Sequence, residues 1–154
     1  MTDCLCGACH STQLVEIVPD SISVGQPAIS PDGLTLYFAS KMRGSHGGSD
    51  IWKVERTSVD GVWGRPVNLG TEINTAGDEM FPYVRLDGSL YFSSDGRPGM
   101  GGLDIFRAVK GEDGRWKVTN MQYPINSSQD DYGITFQGNK EIGLFTSNRK
   151  GCIR

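Results

Sequence analysis

Cysteine is missing from the body of this sequence. Cys4, Cys6 and Cys9 crowd the first ten residues, Cys152 lies close to the end, and the long stretch between them holds none. The fold therefore cannot rest on a disulfide framework, and thiol count alone does not assign a redox compartment. Long apolar runs are missing too: nothing approaches the roughly 20 residues that cross a bilayer, so no direct membrane span is expected. The net charge is -3 with both signs mixed along the chain, and no basic stripe offers a surface to nucleic acid. No segment carries apolar residues at alternating three- and four-residue spacing behind a cap, so no helix longer than one turn is expected. The first residues, Met1-Thr2-Asp3-Cys4, lack a basic start, and Leu14-Val15-Glu16-Ile17-Val18 is short and interrupted by Glu16. Residues 1–20 are accordingly read as a leader or irregular segment and not as a signal peptide.

What the chain has in abundance is glycine and repetition. Its 21 glycines in 154 residues are about twice the average share of roughly 7%, and most sit between apolar runs. Leu36-Tyr37-Phe38-Ala39-Ser40 returns as Leu90-Tyr91-Phe92-Ser93-Ser94, and Gly47-Gly48-Ser49-Asp50-Ile51-Trp52 returns as Gly101-Gly102-Leu103-Asp104-Ile105-Phe106. Asp60-Gly61-Val62-Trp63 returns as Asp113-Gly114-Arg115-Trp116, and a weaker third copy includes Leu144-Phe145-Thr146-Ser147. A period of about 50 residues marks one supersecondary unit that buries its apolar face only against its neighbours. Within the middle unit, short aromatic-rich runs alternate with Asp-Gly or Gly-rich turns, which spells a four-stranded antiparallel meander. Trp63 and Trp116 are expected on the fourth strands. Four-stranded meanders repeated around a pseudo-axis make a β-propeller. The fold class expected is all-β, an incomplete propeller over residues 21–154 with blades at about 24–67, 79–121 and 130–154, the last about half complete, as in a fragment of a larger protein.

The stretch Ser30-Pro31-Asp32-Gly33, Leu36-Tyr37-Phe38 and Gly48-Ser49-Asp50-Ile51-Trp52 resembles the WD-like propeller repeat of the translocation protein TolB. The segment Trp63-Gly64-Arg65-Pro66-Val67-Asn68-Leu69-Gly70, with Ile73-Asn74 and Asp78-Glu79 before Pro82, is similar in particular to propellers of OmpA-family envelope lipoproteins of Bacteroidetes. The resemblance spans about residues 24–151. It implies a non-enzymatic module of the periplasm or outer membrane that engages protein partners of the cell envelope. Peptidoglycan binding would belong to domains that this chain does not contain.

Candidate chemistry is sparse. Cys6, Cys9 and His10 fit the Cys-x-x-Cys-His pattern of covalent haem attachment, and adding Cys4 gives a set that could hold zinc. Five residues match such a pattern easily by chance and no helical pocket follows, so no cofactor is expected; a periplasmic c-type cytochrome stays as an alternative. Ser45 and His46 are adjacent, yet they align with Gly99 and Met100 in the next unit, and neighbours in sequence do not make a nucleophile–base pair. Neither Gly-rich loop ends in the Gly-Lys-Ser/Thr of a phosphate cradle. Asp32, Asp87 and Asp113 read as turn residues. Asp50 and Asp104 are expected to accept backbone N–H groups of the Gly-rich loops. A third alternative is the accessory propeller of a prolyl-oligopeptidase-like hydrolase. In an up-and-down meander the Gly-rich loops and the connections between units emerge on one face. That face would carry Arg43, His46, Asn68, Glu72, Asn74, Arg97 and Met100, whose chemistry differs between units as a protein-binding surface would.

Overall fold

The computed structural model describes residues 15, 17–19 and 21–150, and its regular structure is all antiparallel strand. Three meanders follow one another. The first is β1 (Val24–Ile29), β2 (Thr35–Ser40), β3 (Asp50–Glu55) and β4 (Val67–Asn68); the second is β5 (Glu79–Val84), β6 (Leu90–Ser94), β7 (Asp104–Lys110) and β8 (Trp116–Asn120); the third is the pair β9 (Asp131–Phe136) and β10 (Gly143–Ser147). Within each unit, each strand pairs with the one before it in sequence. The turns behave as their residues dictate. Asp32 accepts the Leu34 N–H at 2.9 Å and Asp87 accepts the Ser89 N–H at 2.9 Å, the side-chain-to-backbone bond for which Asp is favoured in turns.

Period-two alternation sends successive side chains to opposite sheet faces, and both faces of the middle sheet are used. Leu90 and Phe92 of β6 and Phe106 and Ala108 of β7 pack against Ala39, Ile51 and Ile73 of the first unit. Their in-between neighbours Tyr91 and Ile105 turn the other way and pack on Ile134, with Tyr83, Met121, Ile125 and Phe136 around them. On the far side of the first unit, Phe38, Trp52 and Val54 form a separate cluster. The units are thus stacked face to face, and the apolar core lies in the seams between them.

Each first strand contains a bulge at the same place, where one extra residue enters β1, β5 and β9 opposite its partner. Gln26, Phe81 and Gly133 sit there with φ of 54°, 55° and 65°, a left-handed conformation that is costly for a bulky side chain such as Phe81. Pro27 and Pro82 follow, and a bulge tolerates a residue without an N–H. The Gln26 side-chain carbonyl accepts the Phe81 N–H at 3.0 Å, so the bulges of neighbouring units are tied to one another.

One sequence expectation needs correcting. Trp116 opens β8, but Trp63 lies outside the fourth strand of the first unit, which is only Val67–Asn68. The Gly64 N–H bonds to the Glu55 carbonyl at 2.8 Å, and Pro66 has no N–H to continue the ladder. Trp63 instead packs on the Phe38–Trp52–Val54 cluster, with the Arg56 guanidinium 4.4 Å above its ring.

Candidate functional site

The candidate face is built from the Gly-rich loops (residues 41–49 and 95–103) and the connections between units (69–78 and 121–130). Each loop is held first by its own aspartate. Buried Asp50 accepts the His46 backbone N–H at 2.8 Å, and Asp104 accepts the Met100 and Gly101 N–H groups at 2.6 and 3.2 Å, the role the sequence assigns them. Asn68 adds a donor to Asp50 at 2.7 Å.

The connections are then locked by a buried amide. Asn74 accepts the Ile51 N–H at 2.8 Å and donates to the Ile51 carbonyl at 3.0 Å and to Asn68 Oδ1 at 2.8 Å. Asn126 repeats the arrangement on Ile105 and Asn120, at 2.8, 2.9 and 2.8 Å. In each case one side chain pairs a buried backbone N–H and adds a donor to a carbonyl that also accepts the Leu69 N–H at 3.2 Å or the Met121 N–H at 3.1 Å.

A carboxylate of the following unit closes each seam. Asp78 Oδ1 accepts the Ser49 N–H at 2.6 Å, and Asp130 Oδ1 accepts the Leu103 N–H at 3.0 Å. The approach is so close that a Cβ on Gly47 would fall 2.3 Å from the Ala76 carbonyl carbon, and one on Gly101 would fall 2.2 Å from the Gln129 oxygen. Only glycine fits at such distances. The Ser49 N–H, aided by Lys41 and opposed by burial, holds the Asp78 carboxyl below its ordinary value.

One residue further on, Glu79 accepts the Thr75 N–H and hydroxyl and the Ser94 hydroxyl at 2.6–2.7 Å. Asp131 takes its place in the next seam, accepting from Ser127 and pairing with Arg149 at 2.5 Å. Burial works to raise the Asp131 carboxyl, but the donors Ser147, Arg149 and Ser127 outweigh it and leave the group lowered.

The structure brings six of the seven expected residues to these loops and connections, with Asn68 at the end of β4 beside them, but divides them by role. Arg43, His46 and Met100 are exposed on the Gly-rich loops. Asn74 is buried in the seam, and Asn68 is spent on Asp50, Gly70 and Asn74. Arg97 donates to the Glu72 and Ile73 carbonyls and stands 5.8 and 5.9 Å from the Phe92 and Phe106 rings; burial lowers its pKa, against the pull of Glu79. Glu72 accepts the Trp116 N–H at 2.8 Å. Ser45 and His46 are engaged separately: the Ser45 hydroxyl donates to the Ser40 carbonyl at 3.2 Å, and His46 Nδ1 lies 3.2 Å from Asp50. Cys4, Cys6, Cys9, His10 and Cys152 lie outside the described residues. Among the described residues, no group of three or more His, Cys, Asp or Glu is placed to hold a metal ion, and no helix is long and apolar enough to cross a membrane.

Sequence reading passed over Asn126, Asp130, Asp131 and Arg149. The signal was present as a second period: Asn68, Asn74 and Asp78 return 52 residues later as Asn120, Asn126 and Asp130, where the strands return at 54. No protein-family model matches the chain, and no curated protein matches it.

Proposed function

We propose that the chain is a segment of a β-propeller of the WD-like, TolB-like kind, and that it works without catalysis by presenting its Gly-rich loop face to a protein partner in the bacterial envelope. The observation that supports this best is the division of labour across that face. Asp50, Asn74, Asp78, Asp104, Asn126 and Asp130 hold the loops to the scaffold at equivalent places, while the exposed tips differ: Arg43 and His46 on one loop, Met100 on the next. Variable tips on a rigid, repeated frame are the usual form of a recognition surface. The propeller reading draws on the face-to-face stacking of successive meanders and on the tie between the bulges of β1 and β5, which keeps the first strands of neighbouring units side by side. A periplasmic or outer-membrane location follows from the sequence resemblance.

Capture from an envelope extract tests the reading. Immobilised wild-type chain is compared with Arg43→Glu/Met100→Ser, and with Asp32→Ala/Asp87→Ala at the opposite turns, each checked by thermal melting. Loss of a captured protein with the loop variant alone is the expected result. Undiminished capture by the loop variant, with loss at the turns of a folded protein, overturns the choice of face. Absence of any captured protein overturns the interaction role.

A further inference from the structure

A cleft of about 510 Å³ follows the seam between the first and second units, within the roughly 300–1,000 Å³ of small-ligand pockets. Both walls come from complete four-stranded meanders. The floor is the rim of the apolar core, where Tyr37, Leu69 and Trp116 pack around the cluster of Leu90, Phe92 and Phe106. The first unit and its connection add Lys53, Glu55 and Glu72, and the second unit adds Asp87 and Lys110.

The charges of this cleft are matched from within the chain. Lys53 Nζ donates to Glu55 at 2.6 Å, Arg107 stands 3.4 Å from Asp87, and Arg115 lies 3.7 Å from Glu72. Lys110 Nζ is 5.7 Å from the centre of the Trp116 ring, so the seat that a ligand cation would take on that ring is already filled. An anion would meet three carboxylates, and a cation would meet two lysines. What the cleft offers is a polar lining with little net charge. Carboxylate oxygens accept, ammonium groups donate, and the Tyr37 hydroxyl forms no hydrogen bond with the described residues. Burial, then the Glu55 and Asp32 carboxylates, push the Tyr37 phenol above its ordinary value, which keeps it a neutral donor.

We infer that this cleft binds a neutral saccharide. A sugar ring presents an apolar C–H face and a rim of hydroxyls. The face suits the half-buried Trp116 indole, a ring with an apolar body and a polar tip. The hydroxyls suit a lining in which acceptors and donors alternate, and hydrogen bonds to ionised side chains are the stronger kind. Such a ligand brings no net charge to a site whose charges are already paired. The cleft is separate from the exposed loop tips, and the inference does not rest on which of them a partner touches.

The probes are cellotriose, maltotriose and chitotriose, titrated into the isotope-labelled full chain and followed by amide and indole NMR shifts. Spermidine and citrate serve as charged comparators. At least one trisaccharide is expected to bind saturably and to shift Trp116 with the amides of residues 53–55 and 109–110. Trp116→Ala should weaken that binding about tenfold, as loss of an aromatic platform does. Tyr37→Phe should weaken it about threefold, through the loss of one hydrogen bond. Trp63→Ala, on the far side of the first unit, should leave it unchanged. Melting curves establish that each variant is folded, and if Trp116→Ala unfolds the chain, Tyr37→Phe carries the test because it keeps the ring. Three results overturn the proposal: no saturable binding of any of the three sugars, binding that the cleft variants leave unchanged in folded protein, or shifts at the same residues from spermidine or citrate alone.

Discussion

The two seams between units do the same job with different electrostatics. In the seam between the first and second units, the long side chain of Glu79 reaches three neutral donors on Thr75 and Ser94, and Arg97 is left to bond the carbonyls of Glu72 and Ile73. In the seam between the second and third, Asp131 is one methylene shorter. One oxygen accepts from Ser127 and the other pairs directly with Arg149, which also donates to the Pro124 and Ile125 carbonyls. The first seam is therefore closed by hydrogen bonds to buried Glu79, with a solvent-exposed Lys41–Asp78 contact at 3.2 Å beside it, and the second adds an ion pair in which Asp131 is fully buried. A repeat can keep its geometry while exchanging how a buried charge is satisfied, provided that no charge or backbone group is left without a partner.

The largest effect should come from the feature the seams share. Asn74→Ala removes three hydrogen bonds and strands the buried Ile51 N–H, while the Ile51 carbonyl keeps the Leu69 N–H, at a cost of about 3 kcal/mol, read as a lower urea midpoint for the whole chain. Asn126→Ala makes the same chemical change beside a two-stranded unit. Its loss should appear as faster hydrogen exchange confined to residues 125–147, with a smaller shift of the global midpoint; equal global losses would show the seams to be equivalent.

Next comes the ion pair. Asp131→Asn leaves Arg149 without its carboxylate and should cost about 2 kcal/mol at neutral pH, somewhat less than a fully buried pair because Arg149 keeps some contact with water. The pH dependence sharpens the contrast. The Asp131 carboxyl is lowered in the folded state, so its stabilisation is complete above the ordinary value of 3.8 and fades as pH falls through the lower folded-state value. The stability gap between wild type and Asp131→Asn should accordingly shrink below that ordinary value in pH-dependent urea melts. A gap that widened on acidification would contradict the assignment.

A steric comparison follows. Gly47→Ala and Gly101→Ala each drive a methyl into the backbone of the following connection, and each should cost about 1–3 kcal/mol as overpacking does. The two values should agree, since backbone crowding is indifferent to how the carboxylates are paired. The smallest effect belongs to Arg115→Ala. It removes an exposed contact at 3.7 Å from Glu72 and should change stability by less than about 0.5 kcal/mol in the same melts.

Much of the fold was legible because its signals are local. Aromatic runs of period two, Asp-Gly turns and the recurrence of Gly-Gly-x-Asp placed most of the strands to within a residue or two, and the carboxylates of Asp50 and Asp104 do what a strand-opening aspartate beside a Gly-rich loop suggests. The shortened β4 was hidden, because Trp63 repeats Trp116 in sequence while Pro66 interrupts the ladder that would make them equivalent. The candidate face was legible in outline only. Arg97 and Asn74 read as loop residues, and nothing local shows that one guanidinium covers the Phe92 and Phe106 rings or that one amide bridges a strand edge 23 residues away.

Sequence alone determined the repeat, the all-β antiparallel meander and the positions of the turns, since each depends on spacing within a few residues and on backbone preferences of Gly, Asp and Pro. Tertiary structure alone decided which residues are exposed tips and which are clamps, where Gln26 and Phe81 take up left-handed backbone, and that Glu79 and Asp131 satisfy their charges differently. Those outcomes depend on contacts between units, and a buried polar group is settled by whichever donors the neighbouring unit brings within about 3 Å, wherever they lie in the chain.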